Sequence, residues 1–225
     1  SSDLAELLKY SWLRPPTAST RPSSSRPTPP AWSLVVASGK RRPEFTRAVV
    51  LPDEFGPRKA VTWAIEQGAV GGMPLTGFAF GCASNADAFM PSPSQFTYFQ
   101  GGGFDVTFLS FLEIDLEGNV NVSKLGKKPY LTAGCGGFVD ITARARKIVF
   151  AGQFEAGAEL DISGGRIRVT KPGKFPKMVE KVEHVTFSGR RARELGQEVL
   201  YVTERAVFGL GAEGMELLEV APGID

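Results

Sequence analysis

The sequence has few of the residues that build metal centres or disulfide frameworks. Its 225 residues include two cysteines, Cys82 and Cys135, and one histidine, His184. The cysteines stand far apart and form no CxxC pair, so neither a zinc site nor a disulfide framework is expected. Both are predicted to be reduced, partly buried thiols of a cytoplasmic protein.

Long apolar runs and an excess of one charge are also missing. No apolar run approaches the roughly 20 residues of a membrane-spanning helix, and the first residues lack the layout of a signal peptide. Lys and Arg number 26 against 24 Asp and Glu, and the charges are scattered. This balance favours neither nucleic acid nor a membrane as partner, and the short cluster Lys40-Arg41-Arg42 is interpreted as a solvated patch.

Common catalytic and nucleotide-binding signatures are absent as well. The sequence has no GxSxG, and no Ser/His/Asp or Cys/His set can be assembled from it. The glycine-rich stretch AGCGGFVDIT (Ala133–Thr142) lacks the GKS or GKT of a Walker A motif and the GxGxxG of a dinucleotide fold. His184, in the predicted strand VEHVTF, has no partner at ligand spacing and is expected to be structural.

The composition changes at about residue 55. Pro15–Pro30 is rich in Pro, Ser, Thr and Arg, and no Asp or Glu occurs from Leu7 to Pro43. Such a segment contains too little apolar surface for a core. We predict that residues 1–55 are poorly ordered or foreign to the fold, apart from a short helix at Asp3–Tyr10, and that residues 56–225 form the catalytic domain.

From Val61 onwards, buried strands alternate with hairpins and short helices. This arrangement predicts an α/β fold with an open mixed, mainly parallel sheet, flanking helices and C-terminal β-hairpins. The predicted elements are a strand at Val61–Glu66, a strand at Val106–Phe111, a hairpin over Leu112–Val122, a short helix and then a strand at Ile148–Ala151, a hairpin over Ala158–Val169 around Gly164-Gly165, a strand at Val182–Phe187, one or two helical turns at Arg190–Leu195, and two strands around Gly211–Gly214.

Glu66 is the first candidate for chemistry, because it ends the strand VTWAIE and precedes the glycine-rich stretch QGAVGGMP. Open α/β sheets bind ligands at the carboxyl ends of their strands. A carboxylate there can act as a covalent nucleophile, an acid or a base. A glutamate at a strand end that is merely solvated would give the same pattern.

Two further glycine runs are candidate ligand loops. Gly134, Gly136 and Gly137 precede a predicted helix start, where unpaired N–H groups can bind an anion or an oxyanion. The run in FQGGGFD (Phe99–Asp105) can support a ligand loop or only a sharp turn. A turn that requires glycine is the alternative for both runs.

Longer blocks carry a resemblance that is more specific than any glycine run. They are IEQGAVGGMPLTGFAFGCASN, FQGGGFDVTFLSFLEIDLEGNVNVSKLG, AGCGGFVDIT, KIVFAGQF, HVTFSG and GQEVLYVTERAVF followed by GMELLEVAPGID. In this order, from about Val61 to Asp225, they resemble the beta half of family I CoA-transferases, and most of all the propionate/acetate type. The resemblance implies that Glu66 forms a glutamyl-CoA thioester. It also implies that Gln67, Gly68, Gly134, Gly136 and Gly137 line the oxyanion and CoA site.

The resemblance further implies a ping-pong transfer of CoA between an acyl-CoA and a short-chain carboxylate, without a metal or redox cofactor. The implied partners are these substrates and an alpha half, fused or separate, within an oligomer. The chain departs from the family pattern at Ala31–Ala60, where no GIG-type loop occurs, and after APGID, where a final helix is expected.

Two hypotheses follow from these departures. The chain alone is expected to be inactive without the alpha half. Residues 1–55 are hypothesised to be an out-of-frame or misassembled reading, which would remove the sheet strand next to Val61–Glu66 and expose its edge. An inactive remnant and a Gly-loop phosphosugar-binding enzyme stay open as alternatives.

Overall fold

The computed structural model describes residues 32–37, 61–75, 79, 81–126 and 132–224, with the backbone alone for the first range. In chain order, the strands are β1 (Trp32–Ala37), β2 (Val61–Ile65), β3 (Ala69–Val70), β4 (Met73–Pro74), β5 (Ala83–Ser84), β6 (Ala88–Phe89), β7 (Val106–Leu109), β8 (Glu113–Asp115), β9 (Val120–Asn121), β10 (Lys147–Ala151), β11 (Glu155–Ala156), β12 (Glu159–Ser163), β13 (Arg166–Lys171), β14 (Phe175–Pro176), β15 (Met178–Val179), β16 (Glu198–Val202), β17 (Ala206–Leu210) and β18 (Met215–Val220). The helices are α1 (Ser92–Gln100), α2 (Phe138–Arg144) and α3 (Gly189–Glu194).

Within these ranges a nine-stranded sheet has the order β18-β17-β16-β10-β7-β1-β2-β3-β6. The five strands from β16 to β2 are parallel. Antiparallel strands flank them on both sides. The parallel strands are suited to the interior because their residues are mostly apolar, as in KIVFA of β10, where four consecutive residues are buried. The predicted α/β fold class is confirmed.

Each helix precedes a parallel strand, so the carboxyl ends of the strands and the N-terminal ends of the helices meet at one edge of the sheet. Helices α1 and α2 pack against each other. Beneath them the core is aromatic: the Phe150 ring lies 5.7 Å from Phe138, 4.9 Å from Phe187 and 5.6 Å from Tyr201. No helix among these residues is both long and apolar enough to cross a membrane.

The predicted strand at Val182–Phe187 is wrong. Apart from a single bridge between Phe187 and Val120, this segment is irregular. Two buried carboxylates replace a strand partner: the Val182 N–H donates to Asp115 and the Glu183 N–H donates to Glu113. Side chains therefore satisfy the backbone groups that a sheet would otherwise pair.

The C-terminal stretch forms three strands rather than the predicted two. The additional strand is β16, which pairs in parallel with β10. A turn separates it from β17, because the Thr203 hydroxyl accepts hydrogen bonds from the N–H groups of Arg205 and Ala206. Ser and Thr side chains commonly stabilise turns in this way. The hairpins over Leu112–Val122 and Ala158–Val169 and the helix near Arg190–Leu195 are confirmed.

Strand β1 lies in the segment predicted to be foreign to the fold. It pairs in parallel with β2 on one side and with β7 on the other. The prediction that the strand next to β2 is missing and leaves an unpaired edge is therefore wrong. The predicted helix at Asp3–Tyr10 and the cluster Lys40-Arg41-Arg42 lie outside the described residues, as does the rest of residues 1–55.

Candidate active site

Glu66 lies in a tight turn between β2 and β3, at the carboxyl edge of the parallel strands. The Gly68 N–H closes the turn with a 2.9 Å hydrogen bond to the Ile65 carbonyl. Gly68 has a φ of +112°, and a Cβ atom there would lie 2.1 Å from the Met90 carbonyl oxygen. Only glycine fits this position. The turn leaves the Glu66 side chain half-buried.

The loop before α2 brings a backbone donor to this carboxylate. The Gly137 N–H donates a 2.8 Å hydrogen bond to Glu66 Oε1. Gly134 and Gly136, with φ angles of +78° and +54°, allow the loop to turn towards Glu66. A hydrogen bond from an amide to an ionised carboxylate is stronger than one between neutral groups. The structure thus brings the predicted nucleophile and a predicted donor into direct contact.

Space around the carboxylate is limited by two glycines and a ring. A Cβ atom on Gly137 would lie 2.6 Å from Phe96 Cε1 and 3.1 Å from Glu66 Cδ. A Cβ atom on Gly136 would lie 3.1 Å from Glu66 Oε1. A side chain at position 137 would therefore displace the Phe96 ring, and one at position 136 would press on the carboxylate oxygen.

Three other predicted site residues, Gln67, Gly68 and Gly134, direct no donor at the Glu66 carboxylate. The Gly68 N–H is occupied within its own turn and the Gly134 N–H donates to the Ser123 carbonyl, so neither is available as an oxyanion donor. Gln67 is exposed, with its side chain beside Gly81. The Gly136 N–H makes no hydrogen bond to the described residues, and a Cβ atom on Gly136 would lie 3.1 Å from Glu66 Oε1. Gly136 and Gly137 therefore remain the candidate donors.

The glycine run in FQGGGFD serves as a turn. Gly101 and Gly102 cap the carbonyls at the end of α1, and Gly103 packs against the Tyr98 ring. This connection enters β7 at its amino end, whereas Glu66 lies at the opposite edge. Both cysteines are exposed rather than partly buried, with Cys135 in the loop before α2. His184 is also exposed.

A buried polar anchor behind the loop was not predicted. Asn121, fully buried, donates to Glu113 Oε2 at 2.7 Å and accepts the N–H groups of Ser123 and Lys124. The Ser123 carbonyl in turn accepts the N–H groups of Ala133 and Gly134. The sequence signal for this anchor is the alternation of acidic and amide residues with other residues in EIDLEGNVN. The anchor holds the start of the loop that ends at Gly137.

A second polar cluster lies at the carboxyl ends of β10 and β16. Arg205 contacts Glu155 at 2.9 Å and Glu204 at 3.3 Å, and its guanidinium lies 5.0 Å from the Phe154 ring centre. The Gly173 N–H and the Arg205 guanidinium hold the pKa of Glu155 below its usual value. This cluster fixes the segment that follows β10 onto the end of β16.

Two curated proteins resemble the chain over most of its length. It is 43% identical to acetate CoA-transferase YdiF of Escherichia coli K12 over 162 residues, which are 72% of the chain and 30% of that enzyme. It is 45% identical to caffeate CoA-transferase of Acetobacterium woodii over 175 residues, which are 76% of the chain and 33% of that enzyme. The chain is a homologue of the CoA-transferases. It spans about a third of the length of these relatives.

Solved structures of this CoA-transferase group have the same fold. The apoenzyme of acyl-CoA transferase YdiF from Escherichia coli O157:H7 superposes with a TM-score of 0.76 at 34% identity, covering 87% of the chain and 36% of that protein. A thioester complex of YdiF with CoA gives a TM-score of 0.74 at 33% identity, with the same coverage. Glutaconate CoA-transferase of Acidaminococcus fermentans, at 17% identity and a TM-score of 0.60, shares the fold. No family model matches the chain.

The resemblance seen in the sequence blocks is therefore confirmed, and so is the fold that it implied. Glu66 lies at the carboxyl edge of the sheet, within the first of these blocks. The contact between Glu66 and Gly137 joins two of the quoted blocks, IEQG and AGCGGF, across 71 residues.

Proposed function

We propose that this chain carries the catalytic glutamate of a CoA-transferase, with Glu66 as its covalent nucleophile. The reaction transfers CoA between a short-chain acyl-CoA and a free carboxylate. The observation that supports this most directly is the Glu66 carboxylate, hydrogen-bonded to the Gly137 amide at the carboxyl edge of the sheet. Because the chain spans about a third of its relatives, the activity is proposed for the chain together with the missing part.

The reaction proceeds in two half-reactions. A Glu66 oxygen attacks the donor's thioester carbonyl carbon, the C–S bond breaks, and CoA leaves as a thiolate. The thiolate then attacks the Glu66 carbonyl carbon of the mixed anhydride, which releases the donor carboxylate and leaves a glutamyl-CoA thioester. An acceptor carboxylate reverses these steps, so no water is consumed and no net proton moves.

The Gly137 amide has a specific role in this series of reaction steps. When the thiolate attacks the Glu66 carbonyl carbon, the negative charge develops on the oxygen that Gly137 already contacts, provided that the other oxygen carries the acyl group. A fixed donor at this position stabilises the tetrahedral intermediate, and loss of one such donor costs about 3 kcal/mol of barrier. Gly136 is the candidate donor for the intermediate formed at the acyl carbon.

The remaining features of the proposal concern substrates and partners. Binding energy from the CoA nucleotide would bring the thiol and Glu66 together. The exchange of acyl groups between a carboxylate and a thiolate requires neither a metal nor a redox cofactor. An alpha half, fused or separate, would complete the substrate-binding site within an oligomer. The location in the cytoplasm stays a prediction.

Trapping of the thioester tests the proposal. The chain, alone and mixed with the alpha half of an acetate CoA-transferase, is incubated with acetyl-CoA and then with borohydride, which reduces a glutamyl thioester to the alcohol. Peptide mass spectrometry should locate the alcohol at Glu66. Glu66→Gln should abolish both the product and CoA exchange, whereas Glu213→Gln, in an exposed turn, should change neither.

The outcomes separate the alternatives. An alcohol at another carboxylate, or full exchange by Glu66→Gln, would refute the nucleophile assignment. A correctly folded mixture that binds acetyl-CoA but forms no thioester would support an inactive remnant. Binding of a phosphosugar without CoA binding would favour the Gly-loop alternative.

A further inference from the structure

Gln95 occupies a helix position where an apolar residue is expected. Helix α1 buries Gln95 and Phe99, four residues apart and therefore on one face. Both side chains have 0% exposure. Burial of an amide is unfavourable unless its donors and acceptors are paired.

The amide of Gln95 is only half paired. Its Nε2 donates a 3.0 Å hydrogen bond to the Ile65 carbonyl. Its Oε1 is buried and accepts no hydrogen bond from the residues that the structure describes. An unpaired buried acceptor lowers stability, and leucine or methionine would fill similar space without that acceptor. The structure thus retains a poorly paired amide directly beside the residue that precedes Glu66.

The carbonyl that Gln95 contacts belongs to the Glu66 turn. The Ile65 oxygen accepts both the Gly68 N–H, which closes the turn, and the Gln95 side chain. The next residue of α1, Phe96, lies close to Gly137, where a Cβ atom would be 2.6 Å from its ring. Two consecutive residues of α1 therefore adjoin the backbone before Glu66 and the donor that binds its side chain.

We propose that Gln95 is a positioning residue that holds the Glu66 turn in the orientation required for attack. The inference rests on the proposed role of Glu66. Gln95 contacts no reacting atom; it acts through the Ile65 carbonyl and fixes the peptide from which the nucleophile projects. A nucleophile that is misplaced by a fraction of an ångström loses rate without losing substrate binding.

Two variants and one matched control test this proposal. Gln95→Met and Gln95→Leu remove the donor and also the unpaired acceptor, so their midpoints of urea unfolding should stay close to that of the parent chain. The control is Gln197→Leu, because Gln197 also donates to two backbone carbonyls, those of Thr142 and Ala145, at the far end of α2. The control should lower the unfolding midpoint and leave turnover unchanged.

The readouts are kinetic and spectroscopic. In the chain assayed with the alpha half, the Gln95 variants should lower kcat by about tenfold or more, with KM for acetyl-CoA changed by less than about twofold. In the chain alone, the amide resonance of Gly137 should move towards its position in Glu66→Gln, because the hydrogen bond to Glu66 is weakened. The amide readout requires no activity.

The outcomes distinguish this inference from the proposed function. Unchanged kcat and an unmoved Gly137 resonance in a folded Gln95 variant would overturn the positioning role. Failure of both variants to fold would also overturn it, because Gln95 would then be a general core residue. Full turnover by Glu66→Gln would refute the proposed function, while the Gly137 resonance would still decide whether Gln95 positions Glu66.

Discussion

The Gly137 N–H group donates a 2.8 Å hydrogen bond to Glu66 Oε1, and the same glycine has no room for a side chain beside Phe96. The donor is thus in contact with the carboxylate before any substrate binds. A donor that is already oriented needs no reorganisation as charge develops on that oxygen. The effects of substitutions in the loop should therefore depend on their distance from this contact.

Alanine substitutions in the loop should separate steric from conformational effects. In Gly137→Ala the new methyl group would contact Phe96 and Glu66, and in Gly136→Ala it would contact Glu66 Oε1. We expect turnover to fall by about a hundredfold in both, with a much smaller loss of CoA affinity. The measurement is kcat and the CoA dissociation constant in the chain complemented with an alpha half.

Gly134→Ala is the matched control for these substitutions. Its methyl group would have no atom within 4 Å, but the φ angle of +78° disfavours any side chain. We expect a loss of about 1 to 2 kcal/mol of folding free energy and little change in turnover. Turnover within twofold of the parent in all three variants would mean that the loop is only a turn.

Tyr201→Phe should affect stability in a pH-dependent manner. The buried Tyr201 hydroxyl donates a 2.7 Å hydrogen bond to the Gly118 carbonyl, so its loss should cost about 1 kcal/mol at neutral pH. Burial, together with the nearby Asp115 charge, raises the pKa of Tyr201 far above its ordinary value. The unfolded chain releases this proton near pH 10 but the native chain does not, so wild-type stability falls as pH rises above about 10.

Urea unfolding at several pH values provides the measurement for Tyr201. Phenylalanine cannot ionise, so the stability difference between the wild type and Tyr201→Phe should shrink above pH 10 by about 1.4 kcal/mol per pH unit. A difference that stays constant up to pH 11 would contradict the burial of an intact hydroxyl.

Arg205→Met should destabilise the segment after β10. Removal of the cation leaves the carboxylates of Glu155 and Glu204 with backbone N–H donors but without a positive charge, and the Glu204 side chain is only 10% exposed. We expect a loss of about 3 kcal/mol near neutral pH, by thermal or urea unfolding. Arg191→Met, which breaks the exposed pair with Glu194, should change stability by less than about 0.5 kcal/mol.

Acid should reduce the difference between Arg205→Met and the wild type. Because the pKa of Glu155 is lowered in the folded chain, its contribution is present above its ordinary value and is lost as pH falls through the lowered value. The two unfolding curves should therefore converge at acidic pH. A gap that widens on acidification would show that Glu155 is not the main partner.

Truncation should test the place of β1 in the sheet. Deletion of residues 1–55 removes the strand that pairs with both β2 and β7, so two edges would be exposed at the centre of the sheet. We expect the truncated chain to aggregate and to lose cooperative unfolding. Deletion of residues 1–30 retains β1 and should have a much smaller effect, as judged by size-exclusion chromatography and circular dichroism. If the two truncated chains behaved alike, β1 would not be a part of the central sheet.

Several features could be predicted from the sequence because they depend on short-range patterns. The Gly164-Gly165 pair marks a hairpin, since two adjacent residues with positive φ form a tight turn between alternating segments. Glu66 could be placed at a strand end because VTWAI has the composition of a buried strand and Gly68 the freedom that the turn requires. The alternating pattern of Val182–Phe187 predicted a strand wrongly, because carboxylates from β8 compete for its N–H groups.

The sequence by itself determined the fold class and singled out Glu66 and the loop that faces it, because blocks of residues and local turn chemistry carry that information. Only the tertiary structure decided which amide reaches Glu66. Gly68 and Gly134 use their N–H groups within the fold, whereas Gly137 is brought to the carboxylate by packing of α2 against α1. Contacts across 71 residues depend on how sheet and helices pack together, and no local pattern encodes that arrangement.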